Sequence, residues 1–214
     1  MLQSFFRSLR AYPWGQQALC LLPSVLLLFG LTVCIGSGDA VTLYFKEVKA
    51  SHPFITNAMQ GLTNWTNIAF YVVYAALLGL GLLGRNKSLV RFVLVFAAVQ
   101  IFVSAILVQI TKISLGRARP LPALDGSGWS PFSLKGSFHS FPSGHSSEIS
   151  GAAFPLANRY ARAWFSLLLG LIVALIGFTR IYLCMHYISD VAGGLAAGVL
   201  TGLLTHHLCS REQP

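Results

Sequence analysis

Three short segments of this chain hold ionisable residues within otherwise apolar sequence. Lys112 and Arg119 bracket the first, KISLGRARP. Pro142, Ser143, Gly144 and His145 form the core of the second, SFHSFPSGHSSEISG, with Glu148 three residues further on. The third, TRIYLCMHYISD, carries Arg180, His186 and Asp190. Lys112, Arg119 and Arg180 supply three cations, and the planar fork of Arg suits phosphate oxygens. Ser143, Gly144 and His145 sit where a helix begins, so free N–H groups and the helix dipole favour an anion there. Gly144 lets the backbone approach closely. Together these residues fit a tetrahedral oxyanion, phosphate above all. His186 and Asp190 are four apart, hence on one helix face. A carboxylate that accepts from one imidazole nitrogen fixes the tautomer and leaves the other nitrogen as base or nucleophile. His145 can then act as general acid to a leaving oxygen. The set is complete for phosphoryl transfer without a metal or other cofactor.

Plainer readings stand beside these. Lys112 or Arg180 can snorkel to headgroups, and a His186–Asp190 pair can be a structural hydrogen bond. Arg117 reads as a headgroup or solvent contact. His52, His139, His206 and His207 read as surface or loop residues.

Something must position the three segments. Of the 214 residues, 55% are hydrophobic and only 10% charged, against about 25% charged in soluble domains. That is the composition of an all-α, polytopic integral membrane protein, with no length left for a separate soluble domain; residues 1–214 read as one transmembrane domain. The formal net charge of +9 fits anionic headgroups, the positive-inside bias or an anionic substrate. Nucleic acid is excluded as a partner because the basic residues are spread between apolar runs. Oligomeric state is not legible.

Hydropathy predicts a six-helix bundle with spans near residues 18–36, 66–84, 90–110, 144–158, 163–180 and 187–208. The first follows Arg7 and Arg10, like a signal peptide, but its apolar run is long enough for a retained anchor. Between the first two spans, Val41, Tyr44, Phe45 and Val48 follow helical spacing. They predict an interfacial helix on the outer leaflet, with Asp39 as N-cap, or else a loop packed on the bundle. In this six-span topology all three polar segments reach one side of the membrane. Counting Lys and Arg in the loops gives eight against seven, and eight against four once Lys112, Arg119 and Arg180 are assigned to a site. Both termini are therefore expected in the cytoplasm and the site outside. Cys20, Cys34, Cys184 and Cys209 read as small packing residues. Gly194, Gly198 and Gly202, every fourth residue, form a stripe for close packing within the bundle or for dimerisation. The sequons at Asn64 and Asn86 carry little weight.

The three segments resemble the tripartite signature of the type 2 phosphatidic acid phosphatase superfamily. Lys112 stands seven before Arg119-Pro120. Pro142-Ser143-Gly144-His145 is the second part. Thr179-Arg180, His186 and Asp190 make the third, with Thr179 in place of the usual serine. The resemblance implies that His186 attacks phosphorus to form a phosphohistidine and that Asp190 orients it. It implies that His145 protonates the leaving group and that Lys112, Arg119, Ser143, Gly144 and Arg180 hold the phosphoryl oxygens, with no metal. It further implies a lipid phosphatase, commonly on the outer face of the bacterial inner membrane.

Phosphatidylglycerophosphate, phosphatidic acid, undecaprenyl diphosphate and a lipid A phosphate all remain candidate substrates. A lipid phosphotransferase with the same site is an alternative. A non-catalytic anion or lipid transporter is another, although pure binding has no need of the two histidines. The loop from Leu121 to Phe141 is expected either to screen the lipid headgroup or to be a packed connector. Glu148 lies outside the signature, and can tune His145, contact a headgroup or make a structural bond.

Overall fold

The computed structural model describes residues 9–210. Arg7 and Arg211, both used in the charge count, lie outside the described residues. Among those described, the chain forms eight helices and no strand. These are α1 Trp14–Cys34, α2 Asp39–Ser51, α3 Pro53–Leu83, α4 Lys87–Leu115, α5 Pro120–Leu124, α6 Gly144–Tyr160, α7 Ala163–Tyr182 and α8 Ile188–Ser210. Five of them, α1, α3, α4, α7 and α8, are long and apolar enough to cross a membrane. The fourth expected span, α6, has 17 residues. At 1.5 Å per residue it is about 25 Å long, at the lower limit for a bilayer core of ~30 Å.

Helix α6 owes its place to small residues. It packs against α1, α3, α4, α7 and α8. From Ser146 to Ala157 only Glu148 is not fully buried. Serine, alanine and glycine around its circumference allow five neighbours to approach. The closest seam is with α8. A Cβ on Gly194 would lie 2.6 Å from the Ser143 carbonyl oxygen, and one on Gly198 would lie 2.0 Å from Ser150 Oγ. The glycine stripe therefore serves packing within the bundle.

Most helix limits fall within a few residues of expectation, but α3 begins about 13 residues early. Its first half, ITNAMQGLTNWTN, is too polar for a hydropathy signal. Pro53 starts the helix, where its missing N–H costs nothing. Thr63 and Asn67 turn inward to partners on α7 and α6. Helix α4 contains a π-helical stretch, Ile101–Leu107. It alters the register with which the last turn presents Lys112.

Helix α2 is present, and it packs on the bundle. Val41, Thr42 and Phe45 are buried, with Phe45 edge-on to Phe178 at 5.7 Å. Gly38 occupies the N-cap position, not Asp39, which is the first helical residue and faces the helix dipole from there. His207 is buried and His206 half-buried, which corrects their reading as surface residues: α8 continues past both and holds them against its neighbours. Cys20 and Cys184 are buried as expected of packing residues, whereas Cys34 is exposed; all four cysteines are free.

The α6–α8 seam makes a stability prediction. Gly198→Leu overpacks it and should cost at least 1–3 kcal/mol, read as a lower Tm in detergent. Gly30→Ala on α1, with nothing within 4 Å of the new Cβ, should leave Tm unchanged or slightly raised. Equal Tm values for wild type and Gly198→Leu would show that the seam is not close-packed.

Candidate active site

The end of α4, the start of α6, the end of α7 and the start of α8 meet at one end of the bundle. The chain leaves α4 at Gly116, whose φ of +58° ends the helix in the left-handed region. A Cβ there would overlap the backbone of Ser130, so only glycine lets the following loop fold back. That loop is pinned by backbone bonds from Ser130 N to Gly116 O, Arg119 N to Ser137 O and Ser140 N to Arg117 O. Arg117, Arg119 and Ser140 are thereby fixed on one frame. Trp129, Phe132 and Leu134 project outward from it, between 62% and 80% exposed.

Ser140 is the hub. Its carbonyl lies 2.7 Å from His186 Nδ1. A carbonyl can only accept, so Nδ1 carries the proton and Nε2 keeps its lone pair. Its hydroxyl donates to Asp190 Oδ2 at 2.5 Å. The same Oδ2 accepts from the Tyr187 amide at 2.9 Å, and Oδ1 accepts from Arg117 Nη1 at 2.6 Å. Asp190 and His186 do share one face, but Asp190 Oδ2 is 3.6 Å from Nδ1, beyond hydrogen-bond length. The tautomer is set by a backbone carbonyl, and the buried carboxylate acts on the ring at one remove. Burial of His186, at 3% exposure, pushes its pKa down to about 4 against the opposing pull of Asp190. The ring is thus neutral at neutral pH and well into the acid range.

Arg117 corrects the sequence reading. It is no solvent contact. Its guanidinium bonds Asp190 and Ser189 Oγ and lies 4.3 Å from the Tyr187 ring centre. Two residues before Arg119 in a basic run, it carried no signal separating it from a headgroup contact. Ser140 was hidden in the same way, within a run of serines. Thr63 was hidden in a stretch too polar to be read as a span.

The other predicted residues surround the histidines. Arg180 is 5% exposed; its Nη1 donates to Thr63 Oγ1 at 3.3 Å while its buried Nε has no partner. Arg119 Nε is likewise buried without a partner, and its Nη1 reaches only the Met185 sulfur at 3.4 Å. Lys112 folds its ammonium over the start of α6, 3.1 Å from where a Cβ of Gly144 would stand. Arg180, His186, Lys112 and Arg119 all lie within electrostatic reach of half-buried His145. Ser143 caps α6, accepting from the Ser146 amide at 3.3 Å. Its own amide is engaged with the Asp190 carbonyl at 2.8 Å, so the backbone donors at this helix start are those of Gly144 and His145. The Ser143 hydroxyl proton is its remaining donor.

Glu148 accepts from Asn67 Nδ2 at 2.5 Å, and Gln100 Nε2 bonds its backbone carbonyl at 3.0 Å. This is the structural bond among the three readings of Glu148. The carboxylate also lines an apolar groove of about 360 Å³ between α3 and α4, with Tyr71, Leu78, Val93 and Ile101. Three cations close together, two of them with unpartnered buried donors, form a site that calls for an anion. A neutral imidazole with a free lone pair beside them has the chemistry of a nucleophile.

Comparison with known proteins agrees with this chemistry. The sequence is 41% identical over 107 residues to a lipid A 1-phosphatase of Rhizobium johnstonii, covering 48% of this chain and 42% of that protein. A lipid A 1-phosphatase of Rhizobium etli is also 41% identical over 107 residues, 44% of its length. The chain thus aligns with less than half the length of these two relatives. Phosphatidylglycerophosphatase B of Bacillus subtilis is 26% identical over 160 residues, 69% of this chain and 72% of that protein. No solved structure matches significantly. The sequence profile of the PAP2 superfamily matches residues 88–214, from the first turn of α4 through all three polar segments of the site, and the chain belongs to that superfamily.

Proposed function

We propose that this protein is a membrane lipid phosphatase that works through a phosphohistidine on His186, without a metal. The observation that carries the reading is the pair of guanidiniums, Arg119 and Arg180, each with a buried, unpartnered Nε, next to an imidazole whose tautomer leaves Nε2 free. The phosphoryl group of a lipid enters between them. Lys112, Arg119, Arg180, the Ser143 hydroxyl and the Gly144 and His145 amides take its oxygens. His186 Nε2 gives its lone pair to phosphorus as the P–O bond to the lipid breaks. His145, which holds a proton once the negative phosphoryl group lies among the cations beside it, gives that proton to the leaving oxygen. Water, deprotonated by His145, then attacks the phosphohistidine, restoring His186 and releasing inorganic phosphate. Charge gathering on the equatorial oxygens meets donors already aimed at it, the largest source of catalysis in phosphoryl transfer.

The lipid assignment rests on surroundings and relatives. Exposed Trp129, Phe132 and Leu134 give the site end of the molecule an apolar rim for the interface. The groove beside Glu148 offers acyl chains a path into the bundle side. In this reading α6 is the sixth span, both termini are cytoplasmic, and the site opens outside the bacterial inner membrane. The relatives are named for acting on the 1-phosphate of lipid A and on phosphatidylglycerophosphate, and phosphomonoesters on these two lipid types are the proposed substrates. Phosphate release from a panel of lipid phosphates in mixed micelles, including phosphatidic acid and undecaprenyl diphosphate, tests that choice. Turnover confined to the last two would overturn it.

Three outcomes are expected. His186→Ala, folded as judged by Tm, should lose at least about 10³-fold in kcat, because no second nucleophile replaces it. Wild-type release by that variant would sink the phosphohistidine. Activity should persist in excess EDTA; loss restored by added magnesium would count against the metal-free site. Arg117→Met should lower kcat by up to about 10²-fold, because a freed Asp190 misplaces the ring by a fraction of an ångström. KM should change little, since Arg117 is spent on Asp190 and not on the substrate. A raised KM with unchanged kcat would make Arg117 a substrate ligand instead.

A further inference from the structure

The opposite end of the same three helices holds a second polar cavity that the reaction does not use. It has a volume of about 530 Å³ and lies between the start of α4, the end of α6 and the end of α8. Along α4, Arg91 in this cavity and Lys112 in the active site are 21 residues apart, about 31 Å of helix. Lys87, Arg91 and Arg159 contribute three cations to its lining, and no carboxylate lines it among the described residues. Arg159 is held over the Phe92 ring at 4.7 Å. Arg91 donates through Nη2 to the Leu208 carbonyl at 2.7 Å.

The decisive feature is what remains unsatisfied inside. Thr205, Asn158 and His206 line the cavity, and the Thr205 hydroxyl (on a residue 1% exposed), Asn158 Oδ1 and His206 Nε2 are buried without hydrogen-bond partners. A threonine in a helix normally bonds its hydroxyl to a carbonyl one turn back, as Thr201 does here to Ala197 O. A buried hydroxyl left unpaired costs about 1–3 kcal/mol. The Thr205 hydroxyl and His206 Nε2 can donate beside three cations and the start of a helix, and so match a ligand rich in acceptor oxygens, while Asn158 Oδ1, an acceptor, matches a hydroxyl of that ligand.

A second observation identifies the rest of that ligand. Lys87 and Arg91 also line a groove of about 510 Å³ on the outside of the bundle, with Gly81, Leu82, Val90, Leu94 and Val95. Polar cavity and apolar groove thus meet at the same two cations. That is the shape of a phospholipid: an anionic head on one side of Lys87 and Arg91, an acyl chain on the other. We propose that this end of the bundle binds an anionic phospholipid as a resident ligand, its phosphate over Lys87, Arg91 and Arg159 and one chain in the Gly81–Val95 groove. The site is separate from the catalytic one and takes a phosphodiester that the enzyme does not cleave.

Cys209 lines the polar cavity, and exposed Cys34 at the other end of the bundle is an internal control. The full chain is placed in phosphatidylcholine nanodiscs with and without phosphatidylglycerol. Alkylation of each cysteine by N-ethylmaleimide is then followed by peptide mass spectrometry. Phosphatidylglycerol should slow Cys209 alkylation several-fold and leave Cys34 unchanged. Lys87→Gln, at an exposed position, should remove most of that protection. Thr205→Val should weaken it too while raising Tm in lipid-free detergent, since it deletes a hydroxyl with no protein partner. Equal protection by inorganic phosphate or glycerol phosphate would overturn the lipid half of the assignment. Unchanged Cys209 reactivity with phosphatidylglycerol, or protection that survives in Lys87→Gln, would overturn the site.

Discussion

Everything in the active site depends on how closely α6 can lie against α8. Within a membrane, lipid chains are as apolar as leucine, so helices gain little from mere hydrophobic contact. Close van der Waals packing and interhelical hydrogen bonds must serve instead. Gly194 and Gly198 bring α8 up to the backbone of α6 at Ser143 and Ser147 and at Gly151. One consequence is immediate: the Ser143 amide reaches the Asp190 carbonyl. That single bond ties the first residue before α6 to the first turn of α8, and with it His145 to His186. The spacing between His145 and His186 is therefore a packing property of two helices rather than of a loop.

A site held this rigidly can keep charges in an unfavourable state. Arg119 and Arg180 each bury an unpaired Nε, and Lys112 shares their field. Such a cluster costs stability in the absence of an anion. The cost is borne by α6, surrounded by five helices, and by Arg117, which is the cation that neutralises Asp190. With Asp190 paired to Arg117, the three cations facing the histidines are not quenched by the site's own carboxylate. They remain available to a phosphoryl group. The division of labour between Arg117 and Arg119, two residues apart in one sequence motif, separates the cation paired to Asp190 from one left open to an anion.

The sequence exposed the chemistry better than the geometry. Ionisable residues in an apolar chain stand out because lipid penalises them, so Lys112, Arg119, His145, Arg180, His186 and Asp190 were legible by residue type and spacing alone. Five of the helices announced themselves by hydropathy for the same reason. The misses share a different cause. The first half of α3 is polar, and only a partner on another helix makes that polarity tolerable, so neither its helix nor Thr63 had a local signal. Ser140 acts through its carbonyl, which every residue possesses. Arg117 differs from a surface arginine only in where the Gly116 turn points it. Spacing placed Asp190 beside His186 but had no means of showing that Ser140 stands between them.

Charge ties the two ends of the bundle together. Removing Lys112, Arg119 and Arg180 from the loop count gave the basic excess to the opposite face. Yet Lys87, Arg91 and Arg159 on that face converge on one cavity, as the first three do on theirs. If residues that hold a ligand are set aside on one side, they must be set aside on both. The excess then falls to five against four, smaller but in the same direction. Six of the fifteen basic residues gather at two clusters, at opposite ends of α4, α6 and α8. Of these, α6 and α8 are bound by one glycine seam, so the packing that places His145 and His186 also shapes the far cavity. Its Gly202 lies on the same stripe as Gly194, two turns from the residues that face Ser143.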